Sequence, residues 1–466
     1  MSSLAASVPL PAPATPAGAP ACVEAEARRW ALLLGVLAVV AFAATPVVGM
    51  RPALGLLVAI ALLCALGGIL RPVLGLYAVT ILCTLDAMTR VFLIGANPIL
   101  RWNTLNYLLG VVALLGIPFL ARFRTAPLRF LEVLLALLVC GLLFSPDQST
   151  GLQDVLGMSA VLGLIVYAAR GSQFPGAWYW LGVVAGVTGA MAGIVYFAYA
   201  SRLPKIDYNA WAQSSLTALF ATVIALLQAY REHRPQALLA LLAAINTACV
   251  FLSGSRGTTL AALVAVVVAM LSAPGQGRRM LLLVTMGLAA LATTAVFAEY
   301  RRAAVARASA LTDADRSLAN RTSHRWSLVV GGLYLFQRHP VTGVGTGGFI
   351  PAWRAAADDP EVAARIPDFR AVAEGRDAHA GWVKVAVENG VPGLLLLVGA
   401  LGSFVVVGRR AGRPEVGALV ALTMSVLLLS TEYRSKSLWF LAACGLCVIH
   451  GERIAAYGRA VRGGRP

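Results

Sequence analysis

Long apolar runs separated by short polar turns dominate the chain from Trp30 almost to its C-terminus. They lie near residues 30–48, 52–70, 73–95, 104–121, 128–145, 152–168, 177–199, 208–229, 236–253, 257–273, 280–298, 381–407, 416–431 and 437–450. A helix crossing a bilayer needs roughly 20 predominantly apolar residues. The pattern therefore predicts an all-α polytopic membrane protein of about 12 to 14 transmembrane helices. Asp86 and Arg90 blur the end of the third run, and the last two runs are short enough to be tilted or re-entrant. Four regions follow: a tail over 1–29, a transmembrane bundle over 30–298, a polar excursion over 299–380, and C-terminal helices with a basic tail over 381–466. Residues 1–27 are rich in Ala and Pro without an apolar core, which predicts disorder and no cleavable signal.

Composition agrees with the pattern. Of 466 residues, 59% are hydrophobic and 13% charged, whereas a soluble domain averages about 25% charged. The mean hydropathy is +0.78. The net charge of +17 comes as short basic clusters between apolar runs. That distribution fits topological anchoring and attraction to anionic membrane lipids, and argues against nucleic acid. Six of the seven cysteines lie inside or beside apolar runs, so no disulfide framework is implied. Cys444 and Cys447 have CxxC spacing, but within the apolar stretch Leu438 to Ile449 they read as small apolar residues.

Arginine placement orients the chain. Arg28–Arg29, Arg122 with Arg124, Arg231 with Arg234, Arg278–Arg279 and Arg409–Arg410 with Arg413 all fall on one side of the counted spans. By the positive-inside rule that side is the cytoplasm, and both termini share it. The excursion 299–380 then faces the periplasm, and loops of that length usually carry function. It holds His324, His339 and His379, three of the five histidines.

Four motifs bear chemistry, each with a plainer alternative. Ser253-Gly-Ser-Arg-Gly257 joins two spans and sets Ser255 and Arg256 beside helix N-terminal amides, a setting for a phosphate-bearing ligand or simply an interfacial anchor. Thr322-Ser-His-Arg-Trp326 opens an apolar stretch too short to span, so Arg325 faces the interface as a ligand or snorkels there. His339-Pro-Val-Thr-Gly-Val-Gly-Thr-Gly-Gly-Phe349 has Gly343, Gly345 and Gly348 at dinucleotide-fingerprint spacing. It lacks the strand and βαβ setting, so it reads as a turn that approaches a ligand or changes direction. Finally, His379 lies just before a span with Asp377 nearby, and Glu388-Asn-Gly390 interrupts the apolar helix beyond it. A histidine with a local carboxylate suits a general base, although a helix-entrance histidine is often only a cap.

These motifs together resemble the O-antigen ligase and polymerase superfamily. The resemblance rests on Ser-Gly-Ser-Arg-Gly after a span, Arg325 ahead of His339-Pro-x-x-Gly-x-Gly, and His379 entering a helix with Glu388, Gly390, Pro392 and Gly393. It covers roughly residues 250–400, and the N-terminal spans agree in hydropathy alone. Ala380 departs from the Asn that commonly follows the histidine.

The resemblance implies a GT-C-like, metal-independent glycosyltransferase of the bacterial inner membrane, with no cofactor and its site facing the periplasm. It implies a donor glycan on undecaprenyl diphosphate and an acceptor hydroxyl on lipid A core, a growing glycan or a protein. Arg256 and Arg325 would hold the diphosphate, and His379 would serve the acceptor hydroxyl. Ligase and polymerase share this donor chemistry. A lipid-linked glycan transporter or flippase is the rival class, but no internal repeat or intramembrane charge pathway is evident. A non-catalytic scaffold would leave the arginines and histidine unexplained.

Overall fold

The computed structural model describes residues 21–48, 50–93, 103–116, 125–174, 176–199, 208–272, 325–360, 380–429 and 435–451, with isolated positions 120, 302, 305, 309 and 362. In hydrocarbon a backbone must satisfy its own N–H and C=O groups, and a helix does so within one segment. Among the described residues there are helices and turns and no strand. The first eight helices are α1 (Ala21–Ala43), α2 (Thr45–Val48), α3 (Met50–Gly67), α4 (Pro72–Leu93), α5 (Asn103–Leu115), α6 (Ala126–Leu142), α7 (Gln148–Gly171) and α8 (Ala177–Tyr199). They continue as α9 (Tyr208–Arg231), α10 (Ala237–Ser253), α11 (Arg256–Ser272), α12 (Arg325–Arg338), α13 (Phe349–Ala357), α14 (Gly381–Arg410), α15 (Pro414–Leu427) and α16 (Lys436–Ile449).

The molecule is an all-α polytopic membrane protein. Among the described residues four stretches are long and apolar enough to cross a bilayer alone: Gln148–Gly171, Ala177–Phe197, Trp211–Arg231 and Gly381–Arg410. Six shorter apolar helices accompany them, including Ala237–Ser253, Arg256–Ser272 and Leu438–Ile449. The expected span over 280–298 lies outside the described residues, as does half of the excursion 299–380. At the N-terminus the helix begins at Ala21, inside the stretch expected to be tail. Its early turns are held by long-range partners: the Glu24 carboxylate accepts from Arg234 and the Glu26 carboxylate from Arg71.

Helix α9 is the hub. It is almost wholly buried and packs on α4, α8, α10, α11 and α16. Small residues let it approach α8 closely, Gly182 facing Ala225 and Gly189 facing Ala218. Trp211, Tyr77, Phe404 and Trp439 are the large anchors of the main core. The outer helices instead expose apolar side chains, such as Leu33 and Val36 on α1 and Leu395 and Val398 on α14. On a soluble protein such faces would aggregate, whereas against lipid tails they are at home.

Polar contacts mark one end of the bundle. There Arg234 meets Glu24 and Glu232, Arg231 meets Glu415 and the Gly412 carbonyl, and Arg413 donates to Gln228. Arg170 reaches the Ile69 carbonyl, and Arg28 lies over the Trp180 ring. These contacts bring the α1 start and the α3–α4, α7–α8, α9–α10 and α14–α15 turns together as a basic end. Consequently the α6–α7 turn, the α10–α11 corner and the start of α14 lie at the opposite end. Here α12, α13 and the first half of α14 form a satellite core of Leu328, Leu335, Phe349, Trp353 and Val387.

Candidate functional site

At the opposite end the third and fourth motifs are tied into one knot. Helix α14 breaks at Gly390, whose φ of 64° and ψ of −162° are not helical. The break turns the Val391 N–H outward to the Pro340 carbonyl at 2.8 Å, so the Val387 carbonyl loses its helical partner. Pro392 has no N–H, so the Glu388 carbonyl loses its partner as well. Both free acceptors are taken by the glycine turn: Val344 N–H donates to Val387 O at 2.9 Å and Gly345 N–H to Glu388 O at 3.0 Å. Backbone meets backbone here. A Cβ at Gly343, which has a φ of 69°, would stand 2.3 Å from the Glu388 carbonyl group. Only glycine fits both the left-handed conformation and the space.

The turn is also seated against α6 and α7. The Thr346 hydroxyl donates to Leu138 O at 2.9 Å, and Thr346 N–H donates to Gly141 O at 3.3 Å. The fully buried Glu388 carboxylate accepts the Phe349 N–H at 3.3 Å, which secures the first turn of α13. The α6–α7 turn beside it is closed by Asp147, the N-cap of α7, whose carboxylate takes the Thr150 N–H at 3.0 Å and the Thr150 hydroxyl at 2.7 Å. Those bonds, the backbone one foremost, hold the Asp147 carboxyl below the usual aspartate value.

The Ser-Gly-Ser-Arg motif makes the α10–α11 corner. Ser253 ends α10, Gly254 caps it in the left-handed conformation, and Arg256 is the first residue of α11, half-buried. The Ser255 hydroxyl donates to Asn209 Oδ1 at 2.9 Å, tying the corner to the start of α9. The Ser253 hydroxyl accepts the Ser255 N–H at 3.1 Å. This is a hydrogen-bonded corner that presents an arginine at a helix N-terminus, where backbone N–H groups and the helix dipole favour an anion.

The other expected site residues fare differently. Arg325 opens α12, and its side chain lies outside the described residues. His379 and Asp377 also lie outside them, immediately ahead of the described entry to α14. His339 closes α12 and is exposed, its N–H bonded to the Leu335 and Phe336 carbonyls. Gly343 and Gly345 serve the knot rather than an open cradle. Helix α15 packs on both α11 and α14, placing it between the corner and the knot. Among the described residues no group of three or more His, Cys, Asp or Glu could hold a metal ion.

Two buried charges escaped the sequence reading. Lys384 on α14 and Asp154 on α7 lie 3.2 Å apart, with Lys384 also 3.9 Å from Glu388. The signal was available: a lysine four residues ahead of a glutamate inside an apolar span is costly and marks a fixed partner. The partner on α7 is 230 residues away in sequence and carries no such mark.

Residues 237–398 match the family model described as O-antigen ligase. That stretch of the chain is similar to the O-antigen ligase family. The matched stretch opens with the first residue of α10 and ends inside α14, so it takes in the Arg256 corner, Arg325, the glycine turn and the knot at Gly390. No curated protein matches the chain. The resemblance read from the motifs and the family match thus fall on the same part of the chain.

Proposed function

We propose that the protein is a membrane glycosyltransferase that moves a glycan from undecaprenyl diphosphate to an acceptor hydroxyl, in the manner of an O-antigen ligase. One observation carries the reading: the stretch similar to the O-antigen ligase family contains Arg256 at the N-terminus of α11, at the end of the bundle opposite the basic clusters. The basic end, with Arg28, Arg71, Arg231, Arg409 and Arg410, is the cytoplasmic face by the positive-inside rule. Both termini then lie in the cytoplasm, and the α10–α11 corner faces the periplasm of a bacterial inner membrane.

In the reaction an acceptor oxygen attacks the anomeric carbon of the donor. The bond from that carbon to the phosphate oxygen breaks, and the diphosphate leaves with the electron pair. Arg256 and Arg325 stabilise the growing charge on the leaving group, and two guanidiniums in a poorly hydrated site do this without a metal. His379 takes the proton from the acceptor hydroxyl as attack proceeds. Apolar helices hold the prenyl chain, and the excursion 299–380 covers glycan and acceptor.

The test is reconstitution with a donor labelled in the glycan, scoring release of the polyprenyl diphosphate and movement of label to lipid A core, free glycan or protein acceptors. The wild type is expected to release the carrier in step with labelled product. Arg256→Ala should lose about 3–4 kcal/mol of transition-state stabilisation, on the order of 10²- to 10³-fold in turnover. Undiminished turnover by Arg256→Ala would remove the assignment. The identity of the labelled product separates a ligase from a polymerase.

A further inference from the structure

The buried Asp154–Lys384–Glu388 triad has no part in the chemistry above, and its cost calls for an explanation. All three side chains are at most 2% exposed. Taking each charge out of water costs several kcal/mol, and apolar side chains of similar volume usually pack as stably or better. Stability therefore does not account for the triad. What such a group does well is hold one arrangement against its alternatives.

The element that needs holding is the first half of α14. Gly390 disconnects residues 381–389 from the rest of the helix, so the long lipid-facing half does not set their direction. Their attitude comes from side contacts alone. Gly381 N–H donates to Leu428 O at 2.7 Å and the Trp382 indole N–H to Ser425 O at 3.1 Å, both on the α15 side. On the other flank Lys384 reaches Asp154 of α7, and Glu388 receives Lys384 and the α13 N–H of Phe349. The segment leads directly from His379 through Ala380 into the membrane.

We propose that Lys384 is a positioning residue for the transfer: paired with Asp154, it fixes the first half of α14 against α7, the segment that follows His379 directly in the sequence. The inference rests on the transferase reading for its catalytic consequence, but its structural part stands without it. Lys384 touches neither donor nor acceptor in this account. It acts through the direction of one helical segment.

The charge-free pair Asp154→Leu with Lys384→Met tests this in reconstituted full-length protein, with two readouts. Hydrogen exchange should quicken over residues 381–389 and stay unchanged over 391–410. With the labelled donor, kcat should fall at least tenfold while the donor KM stays within about twofold, because Arg256 and Arg325 are untouched. Lys384→Arg keeps the charge but not the reach, and should give a smaller fall in kcat at the same KM. Unchanged exchange over 381–389, or wild-type kcat in the charge-free pair, overturns the proposal. A rise in KM matching the fall in kcat overturns it too, since that places the triad at the donor site. If the pair does not fold, Lys384→Arg decides alone, and wild-type kcat there refutes the role. Failure of the wild type to turn over donor is a separate outcome: it rejects the transferase reading, and the exchange data still judge the positioning.

Discussion

Asp147 shows how much one side chain does at the end of the bundle that holds the glycine turn. Its carboxylate caps α7 by accepting the N–H and hydroxyl of Thr150, the residue just before Gly151, on which the glycine turn is seated. Replacing an N-cap aspartate by alanine removes about 1 kcal/mol, so Asp147→Ala should lower the melting temperature in detergent modestly. The folded carboxyl titrates below its ordinary value, so the sign of the pH dependence is fixed. The cap contributes fully above about pH 5, and its contribution is lost as pH falls through the ordinary aspartate range near 4 and on through the lowered folded value. The melting gap between wild type and Asp147→Ala should close as pH drops from 7 toward 3. A gap that stays constant would show that Asp147 acts through shape alone. An aspartate three residues ahead of a threonine at a helix start is a cap legible in Asp147-Gln-Ser-Thr150 itself.

At the scale of elements, the long helix α14 and the glycine turn form a single device, and its two parts were legible only separately. The turn over 339–349 was read as backbone that approaches something, and Glu388-Asn-Gly390 as an interruption. Nothing in the side chains announces that each completes the other, because the join is made by main-chain N–H and C=O groups. One clue lay in the pair Gly390 and Pro392: a glycine break followed by a proline leaves two carbonyls in want of donors. Two substitutions separate the part played by Gly390 from that played by Pro392. Gly390→Ala forces a side chain into a left-handed position where its Cβ would stand 2.3 Å from Val341 O, and should cost about 1–3 kcal/mol. It should also speed amide exchange at Val344 and Gly345. Pro392→Ala merely returns an N–H to a helix already turned by Gly390 and should leave those amides nearly as protected. The reverse ranking would assign the kink to the proline.

For the whole molecule, the helical membrane fold was written plainly in the apolar runs, while its lateral arrangement was not. The sequence pointed to one face rich in arginine, and contacts such as Arg231 with Glu415 and Arg234 with Glu24 do gather at one end of the bundle. The hub role of α9 and the placement of α15 between the Arg256 corner and the knot depend on packing that hydropathy does not encode. The proposed glycan transfer takes place at the end of the bundle that carries Arg256, on the side away from the arginine clusters. It is tested most directly in proteoliposomes of known protein orientation, with labelled lipid-linked donor in both leaflets and acceptor supplied on one side only. Labelled product should form when the acceptor meets the Arg256 end and be absent when it meets the Arg409–Arg410 end. Equal product on the two sides, or product confined to the Arg409–Arg410 end, would contradict the account.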